Sequence, residues 1–127
     1  MTTTTPLARS RPPLRARAFK EIVAHLRQVA GIRGVLLVTP DGLVITAALP
    51  ARVPIEALAA LGATLGRELE VGSARLGRGR FRIALFLADQ GTFFVGASRL
   101  GFLIMLGDPN AHVASVQAEL ARALDRL

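Results

Sequence analysis

The sequence predicts an α+β (α/β) sandwich: one mostly antiparallel sheet covered by helices on both faces, in the order α-β-β-α-β-β-β-α. Three observations predict it. Apolar residues recur at helical spacing in the first, middle and last stretches of the folded part. Five short β-rich runs lie between those stretches. Adjacent runs are joined by tight turns such as Pro40-Asp41-Gly42 and Asp89-Gln90-Gly91, which make hairpins and not crossovers.

Phe19, Ile22, Val23, Leu26 and Val29 form the stripe of the first helix, with Lys20, Glu21, Arg27 and Gln28 opposite and Gly31 as its stop. Gly34–Thr39 and Leu43–Ala47 read as the first two strands. Pro50 and Pro54 bracket a loop, and Pro54 suits the first position of a helix over 54–70. That helix carries a stripe of Leu58, Leu61, Leu65 and Leu69, beside a second stripe of unusually small residues: Ala59, Gly62, Ala63 and Gly66. A helix-interior glycine costs about 1 kcal/mol relative to alanine, so two of them imply close backbone approach, most simply by another helix.

Residues 79–88 alternate, with Phe81, Ile83, Leu85 and Leu87 on one face and Arg80, Arg82, Ala84 and Phe86 on the other. Thr92–Ser98 and Phe102–Gly107 are the last two strands. Asp108 is placed to cap the final helix with Pro109 at its first position, and Val113, Val116, Leu120, Leu124 and Leu127 give that helix its inner stripe.

The 127 residues suffice for one domain, and a hydrophobic fraction of 51% with 20% charged residues is that of a globular chain. Two parts are expected: a flexible basic arm over 1–16, rich in threonine and proline, and a folded domain over 17–127. The net charge of +7 is uneven. Arg9, Arg11, Arg15 and Arg17 meet no acidic residue, whereas residues 18–127 carry twelve basic and nine acidic side chains. The first residues are Arg-rich and acid-free like an organelle transit peptide, but Pro6, Pro12 and Pro13 break any amphipathic helix there. With no secretory h-region and no cysteine, a cytoplasmic setting is expected.

The residues offer little for catalysis. His25 and His112 lie far apart in sequence without paired carboxylates, and they read as surface or boundary residues. Ser73, Ser98 and Ser115 lack an elbow motif, and Gly72, Gly77 and Gly79 match neither a phosphate-binding loop nor a dinucleotide fingerprint. No enzyme, metal or cofactor is expected. Arg75, Arg78, Arg80 and Arg82 form the densest charge cluster of the folded part. The simpler reading is a solvated strand face that discourages edge pairing; the sharper one is a patch for an anionic partner. With neither Trp nor Tyr, base stacking is poorly supplied.

Three stretches, Gly31–Pro50, Ile55–Glu70 and Gly91–Val113, together resemble the roadblock / dynein light chain family, and within it the bacterial MglB-type members. They share its Asp-Gly turn, its leucine-proline loop after the second strand, its Ala-rich second helix and its apolar run into the last helix. The resemblance spans nearly the whole chain after residue 18 and implies a profilin-like sandwich with five antiparallel strands. It also implies dimers, made by side-by-side second helices and edge pairing of the third strands. Carried onto this sequence, that interface comprises Ala59, Gly62, Ala63 and Gly66 with Arg80, Arg82 and Ala84. Pairing there would bring arginines against their own copies, which is unfavourable.

The resemblance further implies a platform for a Ras-like small GTPase on the exposed side of the second helix: Glu56, Ala60, Thr64, Arg67 and Glu70. The expected function is therefore a non-catalytic homodimeric adaptor that favours one nucleotide state of a GTPase. One alternative is a module that holds nucleic acid or acidic lipid through residues 1–17. Another is a small-ligand sensor, for which few buried polar groups are in sight.

Overall fold

The computed structural model describes residues 14–127. The basic arm through Pro13, with Arg9 and Arg11, lies outside the described residues. Helix α1 (Leu14–Arg27) is followed by strands β1 (Ile32–Val38) and β2 (Val44–Ala48) and by the long helix α2 (Ile55–Arg75). Strands β3 (Ile83–Ala88), β4 (Gly91–Ala97) and β5 (Phe102–Gly107) lead to helix α3 (Val113–Arg126). The expected order of elements is the observed one. Its first helix starts three residues before Arg17, because Leu14, Arg15 and Ala16 carry no breaker once Pro13 is past.

The strands form one sheet in the order β2-β1-β5-β4-β3, every neighbouring pair antiparallel. Its centre is covered on both faces, so the inner strands read as unbroken apolar runs. Val35 and Leu37 of β1, with Leu103 and Met105 of β5, face α1 and α3, where Ile22, Leu26 and Leu120 meet them. Leu36 and Val38, with Phe102 and Ile104, turn the other way onto α2. The inner stripe read for α3 is buried at Val116, Leu120, Leu124 and Leu127.

Helix α2 departs from expectation in three respects. It runs on to Arg75 and not 70, and Pro54 is its N-cap, not its first residue. It ends in a Schellman motif: Gly77 adopts φ +71°, its N–H bonds the Ala74 carbonyl at 3.0 Å, and the Arg78 N–H bonds Ser73 at 3.1 Å. Most consequentially, the stripe that faces the sheet is the small one. Ala59, Gly62, Ala63 and Gly66 are buried in this chain's own core, while Leu58, Leu65 and Leu69 are half-buried on the flank and Leu61 is 50% exposed. A Cβ on Gly62 would run into the Ile104 side chain, and one on Gly66 would sit 2.5 Å from the Phe102 ring. Large sheet residues against small helix residues set the helix close to the sheet. The close approach read from the glycines is real, but the element approached is the chain's own sheet and not a second helix.

Two local readings are also corrected. Strand β3 begins only at Ile83, so Phe81 is not in its alternation. Phe81 packs against Phe102 in the α2 core, whereas Ile83 packs on the opposite side. The final helix starts at Val113 and is capped by His112, whose Nδ1 accepts the Ser115 N–H at 3.2 Å. Asp108 lies five residues before the helix, and its carboxylate pairs with Arg33 at 2.5 Å.

Candidate functional site

The surface with most to offer a partner is built by the outer side of α2 and the neighbouring edge strand β3. With the small stripe packed inward, Ile55, Leu61 and Val71 of α2 and its C-cap Leu76 are left at the surface, 42–77% exposed. Next to them β3, which pairs only with β4, ends the sheet. Its sequence IALFLA contains neither charge nor proline, and Leu85, Phe86 and Leu87 are exposed. A groove of about 470 Å³ runs between the two elements, bounded by Leu69 and Gly72 on α2, by Leu76 just past its end and by Phe81, Ile83 and Ala84 at β3, with Glu68, Arg78, Arg80 and Arg82 also on its walls. The exposure of Leu61 and Leu87 was missed in the sequence because leucines at helical or alternating spacing read as core.

The five residues expected on the outer side of α2 divide into two groups. Glu56, Ala60, Thr64 and Arg67 are exposed. Arg67, however, donates from Nη1 to the Pro40 carbonyl and so ties the β1–β2 turn onto the helix. That turn is closed by the Thr39 N–H on the Leu43 carbonyl at 2.8 Å. Glu70 is half-buried and internally engaged: Oε1 accepts the Phe81 N–H at 3.2 Å and Oε2 accepts from Arg80 at 3.3 Å. The open part of the expected platform is therefore Glu56, Ala60 and Thr64.

Of the seven residues expected at a self-association interface, Ala59, Gly62, Ala63 and Gly66 are consumed by the chain's own core, as described above. Arg80 and Arg82 precede β3 and pair with Glu70 and Asp125. Ala84 lies on β3, half-buried beside the groove. With the arginines outside the strand, the like-charge clash expected from edge pairing has no counterpart within Ile83–Ala88.

His25 and His112 take separate structural places. His25 Nε2 lies 3.4 Å from Glu119 Oε1, linking α1 to α3. Arg122 and then His25 hold the Glu119 carboxyl below its ordinary value. The Asp108 carboxylate raises the Arg33 guanidinium in the same manner. Among the described residues, no group of three His, Asp or Glu side chains could hold a metal ion, and no helix is long and apolar enough to cross a membrane.

No protein-family model matches the chain. Two uncharacterised proteins of Methanocaldococcus jannaschii are similar in sequence. MJ0310 is 26% identical over 106 residues, 84% of this chain and 93% of its own length, and MJ1340 is 24% identical over the same share of each. Among solved structures, Myxococcus xanthus MglB superposes with a TM-score of 0.81 at 16% identity, covering 91% of this chain and 88% of that one. A Roadblock/LC7 domain from Streptomyces avermitilis gives 0.75 at 22% identity, covering 83% and 90%. An MglB in a tetrameric arrangement gives 0.75 at 20%, covering 91% and 94%. The chain has the fold of the Roadblock/LC7 and MglB proteins, as the resemblance in its sequence implied.

Proposed function

We propose that this chain is a non-catalytic, self-associating adaptor that binds a Ras-like small GTPase and biases its nucleotide state. The observation that carries the proposal is the apolar surface formed by α2 and the bare edge of β3, on a fold shared with MglB. Exposed apolar surface of this kind marks a protein-binding site, and an uncharged edge strand is a template for pairing with another chain. An MglB of this fold in a tetrameric arrangement supports the self-associating part of the reading. In the proposed division of labour, β3 and the adjoining groove receive a second copy, and Glu56, Ala60 and Thr64 receive the GTPase.

Binding biases a nucleotide state only if affinity differs between the states. The test is a pull-down from the source cells with the tagged chain, run in parallel with GDP and with a non-hydrolysable GTP analogue. A Ras-like GTPase identified by mass spectrometry in one condition, and lost with Thr64→Arg, supports the proposal. Equal capture in both conditions, or no GTPase in either, overturns it.

A further inference from the structure

The end of the sheet that carries the β4–β5 turn is ringed by arginines from three elements. Arg99 stands on the turn itself, Arg67 on α2, and Arg80 and Arg82 on the segment entering β3. Three of the four are held by the protein. Arg67 is bonded to the Pro40 carbonyl, Arg80 pairs with Glu70 at 3.3 Å and Arg82 with Asp125 at 3.5 Å. Among the described residues Arg99 enters no ion pair.

The turn that carries Arg99 is fixed. Ser98 Oγ accepts the N–H groups of Leu100 and Gly101 at 3.2 and 3.3 Å and donates to the Gly101 carbonyl at 3.1 Å. Gly101 adopts φ +151° directly against the Val38 carbonyl, where a Cβ would have no room. The backbone that carries Arg99 is therefore held in place, which lowers the ordering cost of binding.

Two clefts flank the turn and share Arg80, Ser98 and Arg99. One, of about 360 Å³, opens on the α2 side beside Val71 and Phe102. The other, of about 180 Å³, opens toward α3 beside Phe81 and Leu124. Both have an apolar wall and an arginine rim. The cluster already receives carboxylates from within the chain, at Glu70 and Asp125, and planar guanidinium forks match that group well. Phe81 and Phe102 are buried, so the site presents no face on which a nucleic-acid base could stack.

We infer that this end of the sheet is a docking site for a linear acidic segment of another protein. Carboxylates of the segment meet Arg99, Arg80 and Arg67, and small apolar side chains beside them enter the two clefts. The inference uses Arg67 and Val71 of α2 but none of Glu56, Ala60 and Thr64, so Thr64→Arg tests GTPase binding separately from it.

The test is fluorescence anisotropy of a labelled peptide of alternating glutamate and leucine, titrated with the full chain at moderate salt. Saturable binding is expected. Arg99→Gln, on an exposed turn position, should weaken it about tenfold, the scale of one charge-assisted hydrogen bond. Arg52→Gln, which removes the same charge from the loop before α2, should leave it unchanged. Equal affinity for the wild type and Arg99→Gln overturns the inference. So does equal weakening by Arg52→Gln, which would mean attraction by net charge alone. A labelled oligothymidylate that binds in preference to the peptide and is released by Arg99→Gln would also overturn it, by making the site one for nucleic acid.

Discussion

Gly66 of α2 lies so close beneath the Phe102 ring that three ring atoms stand within 2.6 Å of where a Cβ would be. One turn earlier Gly62 stands in the same relation to Ile104, which is fully buried. The Phe102 ring is packed in the core and cannot swing away; at Ile104 the terminal Cδ1 is nearest, but Cγ1 also stands 2.7 Å from the would-be Cβ.

Gly66→Ala should therefore destabilise the fold. Overpacking costs about 1–3 kcal/mol, while alanine returns about 1 kcal/mol of helix propensity, and the steric term wins. Gly72 in the same helix has nothing within 4 Å of its would-be Cβ. Gly72→Ala should accordingly stabilise by about 0.5–1 kcal/mol. Urea denaturation of the two variants reads opposite signs from the same substitution in the same helix. Equal signs would mean that the helix is not seated on the sheet as described.

Glu70 offers a second contrast. Its Oε1 is the acceptor for the Phe81 N–H at the point where the chain enters β3. Glu70→Ala leaves that part-buried donor without its partner and should cost about 1–2 kcal/mol. Glu70→Gln keeps a carbonyl oxygen in place and should cost less, since it gives up only the exposed pairing with Arg80. Denaturant midpoints that fall equally for both variants would move the importance of Glu70 from the backbone bond to the ion pair.

Acid should reveal Glu119. Its carboxyl is held below its ordinary value by Arg122 on its own helix and His25 on α1. A carboxyl whose folded value is depressed adds stability that is present above its unfolded value and is lost as pH falls through the folded one. Wild type and Glu119→Gln should therefore differ in urea midpoint near neutrality and converge in acid, below the ordinary carboxylate range. A difference that persists unchanged into acid would show that the substitution acts through packing.

How much of this was legible in the sequence depended on whether the deciding partner was local. The order of elements, the bounds of β5 and the inner stripe of α3 follow from periodicity and turn chemistry within short windows. Helix α2 carries two candidate inner stripes, and periodicity alone favours the leucines. The choice is made by Phe102 and Ile104, some forty residues downstream, whose bulk leaves room only for the small stripe. Asp108-Pro109 is a sound helix-start signal, but it opens a turn closed by the Ala111 N–H on the Asp108 carbonyl, its carboxylate pairs with the distant Arg33, and His112 caps the helix. The proposed interaction surface was hidden for the same reason: once the glycines are turned inward, Leu61 is left exposed and Leu58, Leu65 and Leu69 move to the flank.

That surface supplies the last prediction. Strand β3 presents an uncharged edge, and Leu87 on it is 75% exposed. A lysine there places a charge where a second copy would pair, a common means by which natural sheets block edge association. It disturbs little else, because substitution at such an exposed position changes stability by about 0.5 kcal/mol or less. Leu43, beside the opposite edge strand β2, is 68% exposed and makes the matched control. In sedimentation velocity over a concentration series, the wild type and Leu43→Lys should associate and Leu87→Lys should remain monomeric. A wild type that is monomeric throughout would remove the self-association half of the proposed function. Dissociation by Leu43→Lys with Leu87→Lys still associated would move the interface to the β2 edge, and the α2–β3 groove would then be free for a different partner.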